Sequence, residues 1–195
     1  MLDYELVVIG ASAGGMDALK ELFSALDSDF QLPVVVVQHI SPQSNNYLVD
    51  YLNGFCPMKV TEAIEKQKVL PGHAYLAPPN YHLLIEEDRT LSLTVSEKVH
   101  FSRPSIDVLF ETASIAFTNK LIGVLLTGAS QDGAEGIRLI HVAGGMTIAQ
   151  DPKSAYVPVM PQAAINSSPV DYILPLNEIA PFLNTISRAK KRNEF

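Results

Sequence analysis

The sequence predicts an α/β fold: a doubly wound, mainly parallel sheet with helices on both faces and an antiparallel edge or hairpin region. Two observations carry this. Apolar runs of strand length without polar alternation, at residues 6–9 and 34–37, need cover on both faces. Amphipathic stretches of helical period follow such runs along the chain, the rhythm of strand–helix–strand units. With 195 residues, 47% of them hydrophobic and 18% charged, the chain can bury a core as one domain spanning 1–195.

The elements follow in order. Residues 6–9 form a strand that runs into Gly10-Ala-Ser-Ala-Gly-Gly15, and Met16, Leu19, Leu22, Phe23 and Leu26 then make one apolar helical stripe. Residues 34–37 complete the first βαβ unit. Ser44 or Asn45 can cap a short helix carrying Leu48, Tyr51 and Leu52. From about 58 to 95 the texture shortens, and residues 60–64, 74–77, 82–86 and 91–95 read as strands, some antiparallel and near an edge. A helix is expected at 105–117, a strand at 121–126, a helix at 134–142 ended by Gly144-Gly145, and a strand at 146–149. A short helix at 160–165, a strand at 171–174 and a terminal helix at 178–189 close the chain.

Composition removes several function classes. A net charge of −7 argues against a sequence-independent grip on nucleic acid or on an anionic membrane. The single cysteine, Cys56, precludes an intrachain disulfide, and the five histidines lack zinc-site spacing, so a structural zinc site is not expected. No apolar run is long enough to span a membrane, and the acidic start Met-Leu-Asp-Tyr-Glu is not a signal peptide. The expected compartment is the cytoplasm.

In a parallel sheet, ligands bind outside the carboxyl ends of the strands. Sorting by that rule selects Ser12, His39 and Asp132, the residue types of a nucleophile, a base and an orienter. Glycines on both sides of Ser12 permit a sharp turn that exposes its hydroxyl and aims amides at a developing oxyanion. Taken singly, Ser12 fits a tight turn, His39 a strand-end hydrogen bond, and Asp132 an N-cap. Their joint position at three strand ends favours chemistry. Arg103, before the helix at 105, is a candidate for binding a substrate carboxylate or carbonyl, beside the plainer reading of a solvated arginine.

Two other site types fit less well. A dinucleotide fold wants G-x-G-x-x-G and an acidic residue closing the second strand, whereas here that strand closes with Gln38-His39. The order Ser12, His39, Asp132 also differs from the serine–acid–histidine order of α/β-hydrolases.

Five ordered segments carry a family likeness: Val8-Ile-Gly-Ala-Ser-Ala-Gly-Gly15, Val37-Gln-His-Ile40, Val69-Leu-Pro-Gly-His-Ala-Tyr-Leu-Ala-Pro78, Ser102-Arg-Pro-Ser-Ile-Asp-Val-Leu-Phe110 and Leu126-Thr-Gly-Ala-Ser-Gln-Asp-Gly-Ala134. Together they resemble the catalytic domain of the CheB chemotaxis protein-glutamate methylesterases over about residues 6–186. The resemblance implies a Ser-His-Asp triad at Ser12, His39 and Asp132. It also implies hydrolysis of γ-glutamyl methyl esters on chemoreceptor cytoplasmic helices, deamidation of receptor glutamines in many members, and no cofactor. Backbone donors at Ala13 and Ala129 would then serve the oxyanion. The alternative from another class is a weakly active or non-catalytic signalling module that binds a receptor or methyltransferase partner.

Departures from the family pattern are local. Ala13 stands where threonine is usual, Ala129 replaces a methionine, and Pro78-Pro-Asn-Tyr-His82 departs from a glycine-aspartate wording. Family members also usually carry an N-terminal receiver domain, whereas this sequence has five residues before Leu6. The expectation is either a piece of a longer protein or an esterase domain controlled by a separate partner. The basic run Arg188-Ala-Lys-Lys-Arg192 reads as a solvated helix end.

Overall fold

The computed structural model describes residues 3–41, 43 and 47–193. Seven strands build one parallel sheet: β1 (Leu6–Ala11), β2 (Val34–Gln38), β3 (Lys59–Glu62), β4 (His73–Leu76), β7 (Leu121–Leu125), β8 (Met146–Gln150) and β9 (Tyr172–Leu174), in the order β3-β4-β2-β1-β7-β8-β9. Strands β5 (His82–Ile85) and β6 (Leu91–Thr94) form a separate antiparallel hairpin. The predicted fold class therefore holds. The alternating texture at 58–95 divides in two, with β3 and β4 extending the parallel sheet and the hairpin standing apart.

β1, β2 and β7 are buried along their whole length, which explains their continuous apolar runs. The alternation of the strand still sorts residues by face. Val7 and Ile9 join a core with Leu19, Leu22 and Phe23 of α1 (Gly15–Ser24), Leu52 of α2 (Tyr47–Asn53) and Leu183 of α6 (Leu176–Asn193). Leu6 and Val8 face Leu109 and Phe110 of α3 (Ile106–Phe117), Ile137 and Ile140 of α4 (Ala134–Val142) and Met160 of α5 (Val159–Ser167), with the hairpin residues Leu83 and Leu91.

Helix boundaries shift modestly from the expected ones. α5 and α6 are longer than their apolar spacing suggests, and Ser105 is the N-cap of α3 rather than its first residue. Ser44 and Asn45, the expected caps of α2, lie outside the described residues. Met16, placed by periodicity on the buried stripe of α1, is instead exposed at the helix start. The chain leaves β1 to one side for β2 and returns on its other side as β7, so the topological switch lies between β1 and β7. That crevice is where an open parallel sheet binds ligands.

Candidate active site

Ser12 follows β1 directly, its amide donating to Thr127 O at the end of β7 at 2.9 Å. The turn after it closes through Gly14 in the left-handed region, φ 77°, where a side chain would be strained. A Cβ there would also stand 2.6 Å from that of Tyr156. Gly10, expected to ease the same turn, has another role. Its missing side chain lets Ile106 of α3 approach β1, since a Cβ would sit 2.4 Å from Ile106 Cγ2.

His39 follows β2, and Gln38 clamps the two strand ends by donating from Nε2 to Ser12 O at 2.9 Å and His39 O at 3.0 Å. His39 Nδ1 lies 3.2 Å from Ser12 Oγ, and His39 Nε2 lies 2.7 Å from Asp132 Oδ2. The imidazole thus bridges the hydroxyl and the carboxylate, with Nε2–H donating to Asp132 and the Nδ1 lone pair facing Ser12.

Asp132 is fully buried. Besides His39, it accepts from Ser105 Oγ at 2.8 Å, Ile106 N at 2.7 Å and Asp107 N at 3.0 Å. It therefore caps α3 rather than the helix that follows it, α4. Burial opposes its charge, but the hydrogen bond from His39 and the amides of Asp107 and Ile106 outweigh it and hold the carboxyl below the ordinary aspartate value.

A groove of about 530 Å³ opens beside Ser12 and includes Met16, Asp17, Thr127, Gln150 and Tyr156 in its lining. The Thr127 hydroxyl donates to Ala13 O at 2.9 Å and accepts from Val157 N at 2.8 Å, joining the Ser12 turn to the Tyr156 loop. Among the described residues no backbone carbonyl accepts from the amides of Ala13 or Ala129, whereas Gly128 N is bound to Val157 O.

On the other side of His39 a smaller hollow of about 110 Å³ is bounded by Lys98, Phe101 and Arg103. The Arg103 guanidinium is held from several sides. It donates to Asn80 Oδ1 from Nε and Nη2, at 3.3 and 2.8 Å, and from Nη1 to Val95 O and Ser96 O at 2.7 and 2.8 Å. Arg103 is thus a brace between loops at the cleft edge.

Cys56, His73 and His82 stand apart from the line of contacts through Ser12, His39 and Asp132. His73 bonds Pro71 O, and burial pushes the Cys56 thiol up to about 11. Buried His82 accepts from Ser105 N at Nδ1 and donates to Glu97 O from Nε2. Sequence reasoning passed over Asp107, on the first turn of α3, and His100, whose Nε2 lies 3.3 Å from Asp107 Oδ2. Nothing in their spacing announces that contact. Among the described residues no group of three or more His, Cys, Asp or Glu side chains is arranged to hold a metal ion.

The chain is similar to known proteins over nearly its whole length. A Leptospira interrogans protein named putative protein-glutamate methylesterase/protein-glutamine glutaminase is 50% identical over 179 residues, covering 92% of this chain and 93% of that one. A Nitrosomonas europaea protein-glutamate methylesterase/protein-glutamine glutaminase is 38% identical over 90% of this chain, which spans 50% of that relative. The crystal structure of the Thermotoga maritima CheB methylesterase catalytic domain superposes with a TM-score of 0.89 at 33% identity, covering 94% of this chain and 98% of that one. The family model described as CheB methylesterase matches residues 7–183, so the chain belongs to the CheB methylesterase family.

Proposed function

We propose that this chain is a serine esterase that hydrolyses γ-glutamyl methyl esters on a chemoreceptor-like protein, with Ser12, His39 and Asp132 as its triad. One observation carries the reading: the continuous line of contacts from the Ser12 hydroxyl through both His39 nitrogens to a buried, charge-stabilised carboxylate. The names of the Leptospira and Nitrosomonas relatives support the substrate class.

Ser12 Oγ attacks the ester carbonyl as His39 Nδ1 takes its proton, and Asp132 stabilises the imidazolium through Nε2–H. The amides of Ala13 and Ala129 donate to the oxyanion. Collapse expels methoxide, which His39 protonates to methanol, leaving a γ-glutamyl ester on Ser12. Water, deprotonated by His39, then releases the free glutamate and restores the serine. With a glutamine side chain the same steps expel ammonia, which gives deamidation. No step requires a metal or organic cofactor.

The groove beside Ser12 receives the side chain and flank of a receptor helix, at the cytoplasmic face where such helices lie. Among the described residues no helix is long and apolar enough to cross a membrane. Arg103 and Lys98 place positive charge beside the cleft of an otherwise acidic protein, which favours approach of acidic receptor segments. Residues 1–195 act as one catalytic domain. A fluorophosphonate probe is expected to label wild-type protein at Ser12 and to leave Ser12→Ala unlabelled. Absence of labelling on the wild type would overturn the esterase reading.

A further inference from the structure

We infer that Asp107 is a positioning residue of this site: it fixes the loop that carries Asp132 and places a second negative charge beside that carboxylate. The inference rests on the esterase reading.

The two helices next to the site exchange caps. Asp132, just before α4, accepts from the first amides of α3, Ile106 N and Asp107 N. Asp107, on the first turn of α3, accepts in return from the first amides of α4, Gly133 N at 2.9 Å and Gly136 N at 2.7 Å, both to Oδ1. Gly133, the N-cap of α4, offers no side chain for that purpose. Without Asp107 those two donors would be buried and unpaired, and the chain immediately after Asp132 would lose its anchor. Movement there acts directly on the 2.7 Å contact with His39 Nε2.

The charge acts in the same direction. The Asp107 carboxylate, held at Gly133 N and Gly136 N just beyond Asp132, lies near enough to Asp132 for the two negative charges to repel. A second anion there favours the imidazolium that forms when His39 takes the Ser12 proton. The other groups around Asp107 do not neutralise it from within the core. His100 approaches from the solvent side and is half exposed. His82 faces Ser105 with its Nδ1 accepting. Arg138 of α4 is paired with Glu135 at the surface. Glu111 lies one turn along α3 at an exposed position, and Arg103 is held by Asn80 and two carbonyls. Burial pushes Asp107 up to about 6, with the amide of Gly136 opposing and the charge of Asp132 adding, so the second charge is present at neutral pH and fades in mild acid.

The test is the pH profile of kcat/KM for methanol release from a methylated receptor fragment, measured for wild type, Asp107→Asn and Asp107→Ala. Asparagine keeps an acceptor oxygen for both glycine amides and removes the charge. It is expected to lower the alkaline plateau by about tenfold, with the difference from wild type shrinking as pH falls through about 6, where Asp107 itself loses its charge. Alanine removes charge and anchor together and is expected to lose about tenfold more. If the alanine variant does not fold, the asparagine profile decides alone. An Asp107→Asn profile superimposed on wild type would overturn the inference. Ser12→Ala separates the two readings: if it is inactive while Asp107→Asn matches wild type, only the role of Asp107 falls, and if it is as active as wild type, the esterase reading falls with it.

Discussion

His39 meets Ser12 through Nδ1 and Asp132 through Nε2, which fixes what each substitution at the site should do. In Asp132→Asn the amide can present its NH2 to Nε2, which then becomes the accepting nitrogen and leaves a proton on Nδ1, facing Ser12. The base is lost in that tautomer, and kcat is expected to fall by about 10⁴-fold with KM little changed. Steady-state turnover of the methylated fragment measures this, and a loss under tenfold would contradict it. These residues were legible in the sequence because a parallel sheet delivers every strand's carboxyl end to one rim, so Ser12, His39 and Asp132 needed only correct strand ends to be grouped. Asp107, Gln38 and His100 were not. Their roles are set by partners far along the chain, as when Asp107 meets Gly133 and Gly136, and no local pattern records such contacts. Arg103 shows the converse: its chemistry suggested a ligand, and its position before α3 gave no sign that Asn80, Val95 and Ser96 already surround it.

Helices α3 and α4 pack closely because of one glycine. A Cβ at Gly136 would sit 2.4 Å from the Phe110 Cβ, so Gly136→Ala must push the helices apart. The change should destabilise the fold by about 1–3 kcal/mol, the usual range for overpacking. It should also reduce activity, since the exchanged caps span that interface. Urea unfolding and turnover on one sample measure both effects, and an unchanged midpoint would contradict the packing argument. At this scale the strands buried on both faces were plain, because burial forces a continuous apolar run. The pairing of β3 and β4 was harder to read. Four-residue strands are too short for their pattern to tell an extension of a parallel sheet from a hairpin, and among β3 to β6 it is β5 and β6 that pair antiparallel. Met16 kept the helical period of α1 and still emerged at the surface, because the groove beside Ser12 leaves that corner of the helix uncovered.

Over the whole molecule, the two neighbouring carboxylates pull stability in opposite directions as pH changes. Asp132, depressed on folding, contributes stability above its unfolded value of 3.8 that is lost as pH falls through its folded value. Asp107, raised on folding from 3.8 to about 6, contributes stability that is fully present below 3.8 and lost as pH rises through 6. Replacing it by asparagine removes that loss. Asp107→Asn is therefore expected to raise Tm at pH 8 by a few degrees, with the gain vanishing below about pH 4. Thermal scans across that range check the sign, and a lower Tm at pH 8 would contradict it. A site that holds an anion at an unfavourable place is a common trade of stability for function. The central claim is that Ser12 is the nucleophile of an ester hydrolase, and its most direct test is methanol release from a methylated receptor fragment by wild type and Ser12→Ala. Loss of the serine is expected to reduce kcat by about 10⁶-fold, and equal rates for the two proteins would contradict the account.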